Sequence, residues 1–217
     1  MSEIMALHVT GYKHQPVPTT FVRQATASNH LGIILPGYLH TADRAELYYA
    51  GRALQEQGAD LLRVEYTYNE TDFMQRSQKE QAAWLSTDVR AACAAGLAQR
   101  AYDRITLVGK SIGTMAMGHL MADPRFHKAN CIWLTPILTL PWLRAQIAQA
   151  KPRSLFIIGT ADRFYKAAYL DEVVQATQGQ SMVIEGAAHN LEIEGDIAAS
   201  LDALVRIITE IQHFITQ

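Results

Sequence analysis

From about residue 30 onward, short and almost wholly apolar runs alternate with longer segments of helical period, and few folds accept that alternation. The runs are Leu31–Leu35, Leu61–Tyr66, Ile105–Val108, Cys131–Leu134, Ser154–Ile158 and Ser181–Ile184. A strand with one face in water alternates polar and apolar residues. These runs do not, so they predict strands covered on both faces. Helix starts stand between them. Ser77-Gln-Lys-Glu80 is a capping-box pattern, and Leu85, Val89, Ala92 and Leu97 follow it at helical spacing. Near the C-terminus Ile197, Leu201, Leu204, Ile208, Ile211 and Ile215 share one stripe, which predicts a helix packed on the sheet through them. Strands alternating with helices mean right-handed crossovers and a mostly parallel sheet. Residues 3–11 and 19–25 differ, because the Pro16–Pro18 turn between them leaves no room for a helix. They are expected to pair as an antiparallel edge. The predicted architecture is an α/β fold: a three-layer α/β/α sandwich, mostly parallel with an antiparallel N-terminal edge. Such folds place ligand chemistry at the carboxyl ends of the parallel strands.

A chain of 217 residues suits one large core, so a single domain over residues 1–217 is expected. With 49% hydrophobic and 18% charged residues, the composition is that of a globular protein. A formal charge of −2 supplies no basic field for nucleic acid and no polybasic surface for a membrane. No run approaches the roughly 18 apolar residues that span a bilayer. The N-terminal MSEIMALHVTGYKHQPV lacks the charged start and apolar stretch of a signal peptide, so a cytoplasmic location is expected. Cys93 and Cys131 suit a reducing compartment, although two cysteines alone leave one disulfide open. Neither cysteines nor histidines show metal-ligand spacing, and no metal or cofactor is expected.

The stretch richest in chemistry is Gly109-Lys-Ser111-Ile-Gly113, between the run Ile105–Val108 and a segment of small residues and methionines. A G-x-S-x-G pattern joining strand to helix forces a sharp turn that leaves the serine hydroxyl outward. The N–H groups of the following helix, that of Ile112 first, then face the space above Ser111, where negative charge develops in acyl transfer. The tripeptide Gly109-Lys-Ser111 also occurs in phosphate-binding loops. Those loops need glycine five residues before Gly109, and position 104 is Arg.

A serine hydroxyl needs an imidazole to take its proton, and the imidazole needs a carboxylate to orient it. On such an elbow the acid follows the serine in the chain, and the histidine follows the acid. Asp162 lies just beyond the run Ser154–Ile158, in Gly159-Thr-Ala-Asp162-Arg-Phe-Tyr. His189 lies beyond Ser181–Ile184, in Glu185-Gly-Ala-Ala-His189-Asn. Taken singly, Asp162 is also a helix-capping residue and His189 an ordinary loop residue. Taken together they complete a Ser111–His189–Asp162 triad. The second oxyanion donor is expected after the first core strand, in Leu35-Pro36-Gly37-Tyr38-Leu39-His40, with Gly37 admitting close approach and Tyr38 donating its N–H.

The segments LPGYLH, GKSIGT, GTADRFY and GAAHN, in that order, resemble the α/β-hydrolase superfamily. The resemblance runs from about residue 20 to the end. It implies an oxyanion hole, nucleophile, acid and histidine in those four loops. The chain is most similar to compact, lidless members such as dienelactone-hydrolase-like proteins and small esterases. It departs from many relatives in carrying Leu35-Pro36-Gly37 where they have His-Gly. Lys110 fills the variable elbow position, either as a solvated side chain or as a contact for an anionic substrate.

Between Cys131–Leu134 and Ser154–Ile158 there is room only for a minimal cap at about 136–150, which excludes a large lid. Leu138, Leu140 and Trp142 there either wall an acyl pocket or cover the core. Tyr68, in Tyr66-Thr-Tyr68-Asn-Glu70, is expected to face the site from the opposite side, and Tyr38 and His40 either line it or pack their loop. The expected partner is a small-molecule acyl substrate, and the expected reaction is ester or similar acyl hydrolysis through an acyl-enzyme. The same triad also serves C–C or peptide-bond cleavage. From a different class, a hydrolase-fold binding protein with an unused triad is the alternative.

Overall fold

The computed structural model of the chain describes residues 2–66, 68 and 70–217. Thr67 and Asn69, within the segment singled out around Tyr68, lie outside the described residues. The strands are β1 (Glu3–Ala6), β2 (Thr19–Arg23), β3 (His30–Leu35), β4 (Asp60–Val64), β5 (Arg104–Lys110), β6 (Asn130–Leu134), β7 (Arg153–Gly159) and β8 (Gln180–Ile184). The helices are α1 (Ala45–Glu56), α2 (Glu70–Phe73), α3 (Gln78–Leu97), α4 (Ile112–Leu120), α5 (Pro141–Ala150), α6 (Ala167–Thr177) and α7 (Ile197–Thr216). The strands form one sheet in the order β1-β2-β4-β3-β5-β6-β7-β8. From β4 to β8 the neighbours are parallel, while β2 runs antiparallel to both β1 and β4.

Alternation along the central strands explains their unbroken apolar runs. Leu31, Ile33 and Leu35 of β3 point to the layer of α3, α4, α5 and α6, whereas Ile34 points to that of α1 and α7. Leu107, Trp133 and Phe156 continue the first face, and Val108, Ile132 and Ile157 the second. Each such side chain contributes about 1.5–3 kcal/mol on leaving water. The outer strands β1 and β8 are largely exposed, as strands with one free edge must be. The N-terminal pair is shorter than expected, because the chain between β1 and β2 closes a local turn with Thr10 bridging Pro16.

Helix α3 opens on the anticipated cap: Glu80 N–H donates to Ser77 Oγ, and Ser77 N–H donates to the Glu80 carboxylate. Helix α7 corrects the sequence reading. Its buried face is Ala203, Ile207, Ile211, Phe214 and Ile215, while Ile197 is 81% and Leu201 58% exposed. Its apolar residues spread wider than one stripe, and the small Ala203 sets the side that approaches the sheet. Cys93 and Cys131 are buried free thiols, and burial pushes Cys93 up to about 12. Among the described residues no helix is long and apolar enough to cross a membrane.

At the foot of the sheet His30 is buried, its Nδ1 accepting from Arg104 at 2.8 Å and its Nε2 facing Thr106 Oγ1 at 2.9 Å. Burial, and then the Arg104 charge, lower its pKa from 6.5 to about 4. The unfolded chain therefore binds the extra proton between those values. Stability is complete above pH 6.5 and falls by about 2 kcal/mol as the pH drops toward 4. Urea unfolding of wild type and His30→Gln at pH 7 and about 4.5 should show this component in wild type and not in the variant.

Candidate active site

Strand β5 ends at Lys110 and α4 begins at Ile112, so the chain reverses direction at Ser111. That residue sits at φ 53° and ψ −116°, a strained conformation for a residue with a Cβ. Its N–H donates to Leu134 O at 3.1 Å, which fixes it against the end of β6. The flanking glycines are required by space. A Cβ on Gly109 would stand 2.7 Å from Gly113 O, and one on Gly113 would stand 2.0 Å from Leu35 O. The elbow thus presses directly on the end of β3.

Two further loops reach Ser111. Asp162 follows β7, with a fully buried carboxylate. Its Oδ1 accepts the Phe164 N–H at 2.9 Å, and its Oδ2 lies 2.8 Å from His189 Nδ1. His189 follows β8, and its Nε2 is 2.9 Å from Ser111 Oγ. With Nδ1–H donating to the carboxylate, Nε2 is left to accept the serine proton. The Phe164 ring meets the imidazole edge-on at 5.1 Å. Ser111, His189 and Asp162, expected from the sequence, are therefore hydrogen-bonded in one chain. An arrangement of this kind lets a serine attack an electrophilic carbon as its proton leaves.

The loop after β3 packs on the elbow: a Cβ on Gly37 would lie 3.3 Å from Ser111 Cβ and 3.5 Å from Lys110 O. Gly37 to His40 form a tight turn, His40 N–H donating to Gly37 O at 3.1 Å, with Leu39 at φ 57°. The Tyr66 hydroxyl donates to Pro36 O at 2.8 Å and anchors this loop, a role the sequence did not reveal. Tyr38 is half-buried and stacks on Phe73 at 6.4 Å. The N–H of Ile112 belongs to the first turn of α4, whose N–H groups have no acceptor within the helix. His40 Nε2 faces Arg44 at 3.5 Å. Burial, then Arg44 and Lys110, hold the His40 pKa below its usual value.

The remaining expected contacts fall elsewhere. Lys110 is neither solvated nor turned toward a substrate. Its side chain is completely buried, and its Nζ lies 3.0 Å from His189 O, 3.4 Å from Thr135 Oγ1 and 3.5 Å from Glu46 Oε1. Burial pulls its pKa down, with Glu46 opposing. The cause of this placement is strand alternation, which turns position 110 to the α1 face. Tyr68 stacks between Tyr66 and Phe73 and lines a cavity of about 350 Å³ with Gln15–Pro18, Trp84 and Asp88, a lining that does not include Ser111. Leu138 is buried in the core, and Trp142 of α5 packs against α4, stacked on His119 at 4.8 Å. Both cover the core instead of walling a pocket. Sequence reading missed Glu46, Thr135 and Phe164. Phe164, two residues beyond Asp162, had a positional signal; the other two had none.

A family model described as "Alpha/beta hydrolase domain" matches residues 41–216, and the chain belongs to that family. No curated protein sequence matches it. Among solved structures, an esterase of Pyrococcus furiosus is similar at a TM-score of 0.74 and 13% identity, covering 99% of this chain and 91% of its own. A Xanthomonas campestris protein described as an α/β serine hydrolase without lid has a TM-score of 0.71 and 18% identity, covering 99% and 94%. A dienelactone hydrolase of Anabaena variabilis has a TM-score of 0.73 and 15% identity, covering 100% and 97%. At these identities the likeness is one of fold.

The strain at Ser111 is open to measurement. Ser111→Ala keeps the backbone strain, whereas Ser111→Gly relieves about 1–3 kcal/mol of it and adds about 0.5–1 kcal/mol of unfolded-state entropy. Ser111→Gly should therefore unfold at higher urea than Ser111→Ala, by about 1 kcal/mol.

Proposed function

We propose that the protein is a serine hydrolase that cleaves small-to-medium carboxylic esters or similar acyl substrates through an acyl-enzyme. The observation that carries this reading is the bonded chain from Ser111 Oγ through His189 to the buried Asp162 carboxylate. In the reaction Ser111 Oγ attacks the acyl carbon and its proton passes to His189 Nε2. The carbonyl oxygen takes up the displaced electron pair and is held by the N–H groups of Ile112 and Tyr38. Asp162 remains ionised, fixes the tautomer and stabilises the imidazolium. Collapse of the intermediate breaks the bond to the alcohol, which leaves with the proton from His189. Water then attacks the acyl-enzyme with His189 as base, releasing the acid and restoring the serine.

Similarity in fold to proteins described as an esterase and a dienelactone hydrolase supports the reaction class. The segment between β6 and β7 holds only α5, which packs on α4 and α6 as part of the body, so that segment carries no large lid. The buried thiols Cys93 and Cys131 fit a reducing, cytoplasmic setting.

A fluorophosphonate probe should label wild type at Ser111 and leave Ser111→Ala unlabelled. Asp162→Asn, which presents the wrong tautomer to the serine, should lower kcat about 10⁴-fold on p-nitrophenyl esters. In a series of increasing acyl length, short and medium chains should turn over fastest. Folded wild type that takes no label while a control esterase does would sink the proposal.

A further inference from the structure

Beneath the candidate site lies a buried charge that the acyl-transfer chemistry does not use. Helix α1 supplies Glu46, 7% exposed, and β5 supplies Lys110, 0% exposed. The ammonium has three donors, and three acceptors surround it on separate elements: Glu46 Oε1 on α1, Thr135 Oγ1 after β6 and His189 O after β8. The last contact, at 3.0 Å, is the shortest, and it joins the residue before the nucleophile to the main chain of the base.

Sheet order explains why such a tie matters. Strand β8, which launches the His189 loop, is separated from β5 by β6 and β7. At about 4.8 Å per strand, the loop must carry its imidazole roughly 14 Å sideways to meet Ser111. Much of its bonding turns inward or toward α7: Ala188 N–H to Glu192 O at 2.8 Å, Leu191 N–H to Ala188 O at 2.9 Å and Ile193 N–H to Ser200 Oγ at 2.8 Å. Those bonds shape the loop, and Ala161 N–H, donating to Ala187 O at 3.0 Å, ties it to the turn after β7; none of them reaches β5. The long side chain of Lys110 reaches out from β5 and meets the main chain of the incoming loop at His189. An apolar pair of the same volume commonly folds as well as a buried ion pair, so burial of a charge here calls for another account.

We propose that Lys110 is a positioning residue that holds the His189 loop in register with Ser111, with Glu46 as the counter-ion that keeps its charge buried. This rests on the acyl-transfer reading for its consequence in turnover, and on the geometry alone for its consequence in the order of the imidazole. Lys110 acts through the main chain of His189 and does not touch the reacting atoms.

The test separates holding the fold from holding the base. Lys110→Met alone strands the Glu46 carboxylate and should lower Tm steeply. Glu46→Leu/Lys110→Met removes both charges and should recover most of that Tm. Its kcat for p-nitrophenyl butyrate should nevertheless stay down by about 10²-fold, the scale of a misplacement near 1 Å, with KM nearly unchanged. In the same variant the low-field proton resonance of His189 Nδ1–H on Asp162, sharp in wild type, should broaden into exchange with water. A double variant that recovers Tm, kcat and the sharp resonance together would overturn the proposal and make the pair merely structural. If this double variant does not fold, Glu46→Met/Lys110→Leu removes the same charges with a different shape and is read in the same way. The resonance needs no turnover, so a wild type inert toward every ester would refute the proposed activity and leave the role of Lys110 still decided by the spectrum.

Discussion

The backbone of Ser111 is held at φ 53° by contacts on every side, and the rest of the molecule is arranged around that constraint. Its N–H is bonded to the end of β6, its carbonyl accepts from Thr114, and the glycines beside it let β3 and α4 close to backbone contact. A conformation that costs about 1–3 kcal/mol persists only where its surroundings over-determine it. Here the surroundings are the most buried part of the sheet. β3 and β5 lie side by side at its centre, with an α-layer on each face. The strain and the core are therefore one design: the hydroxyl faces outward because everything behind it is packed.

Different ranges of interaction made some features readable in the sequence and others not. The interior strands were legible because burial on both faces leaves no polar residue in Leu31–Leu35 or Cys131–Leu134, a purely local signature. The elbow was legible because a strand-to-helix reversal permits few residues at 109 and 113. Asp162 and His189 could be placed because each follows such a strand at its carboxyl end. Lys110 was misread because the environment of a charged residue depends on chain far away; Glu46 and His189 lie on either side of it in sequence. Tyr68 was misread in a related way. Its position after a strand end suggested the cleft, but Tyr66, Phe73 and Trp84 offered a larger aromatic surface to stack on. Helix α7 failed on a finer point, since a long helix rich in apolar residues has more than one plausible face, and small side chains choose among them.

Three loops from the same end of the sheet meet at Ser111, and they differ in how tightly the sheet itself places them. The loop after β3 is adjacent to the elbow and is anchored by the Tyr66 hydroxyl. The Asp162 turn is fixed by its own carboxylate, which accepts the Phe164 N–H while holding His189. The His189 loop comes farthest; main-chain bonds tie it to the turn after β7, and side chains hold it from two further directions, Lys110 beneath it and Ser200 of α7 behind it.

This gradient has a temporal side. During synthesis the residues that build the elbow, from β3 through β6, emerge well before β8 and α7. The layer of α1 and α7 that packs behind the elbow is completed only by residues that follow His189 in the chain. The hydrogen bond from Ser111 to His189 joins residues 78 apart in the chain, and the loop that carries the imidazole has its backing from the last helix, through Ser200. That bond therefore requires the C-terminal layer as well as the centre of the sheet, and the array reports on the finished molecule as a whole.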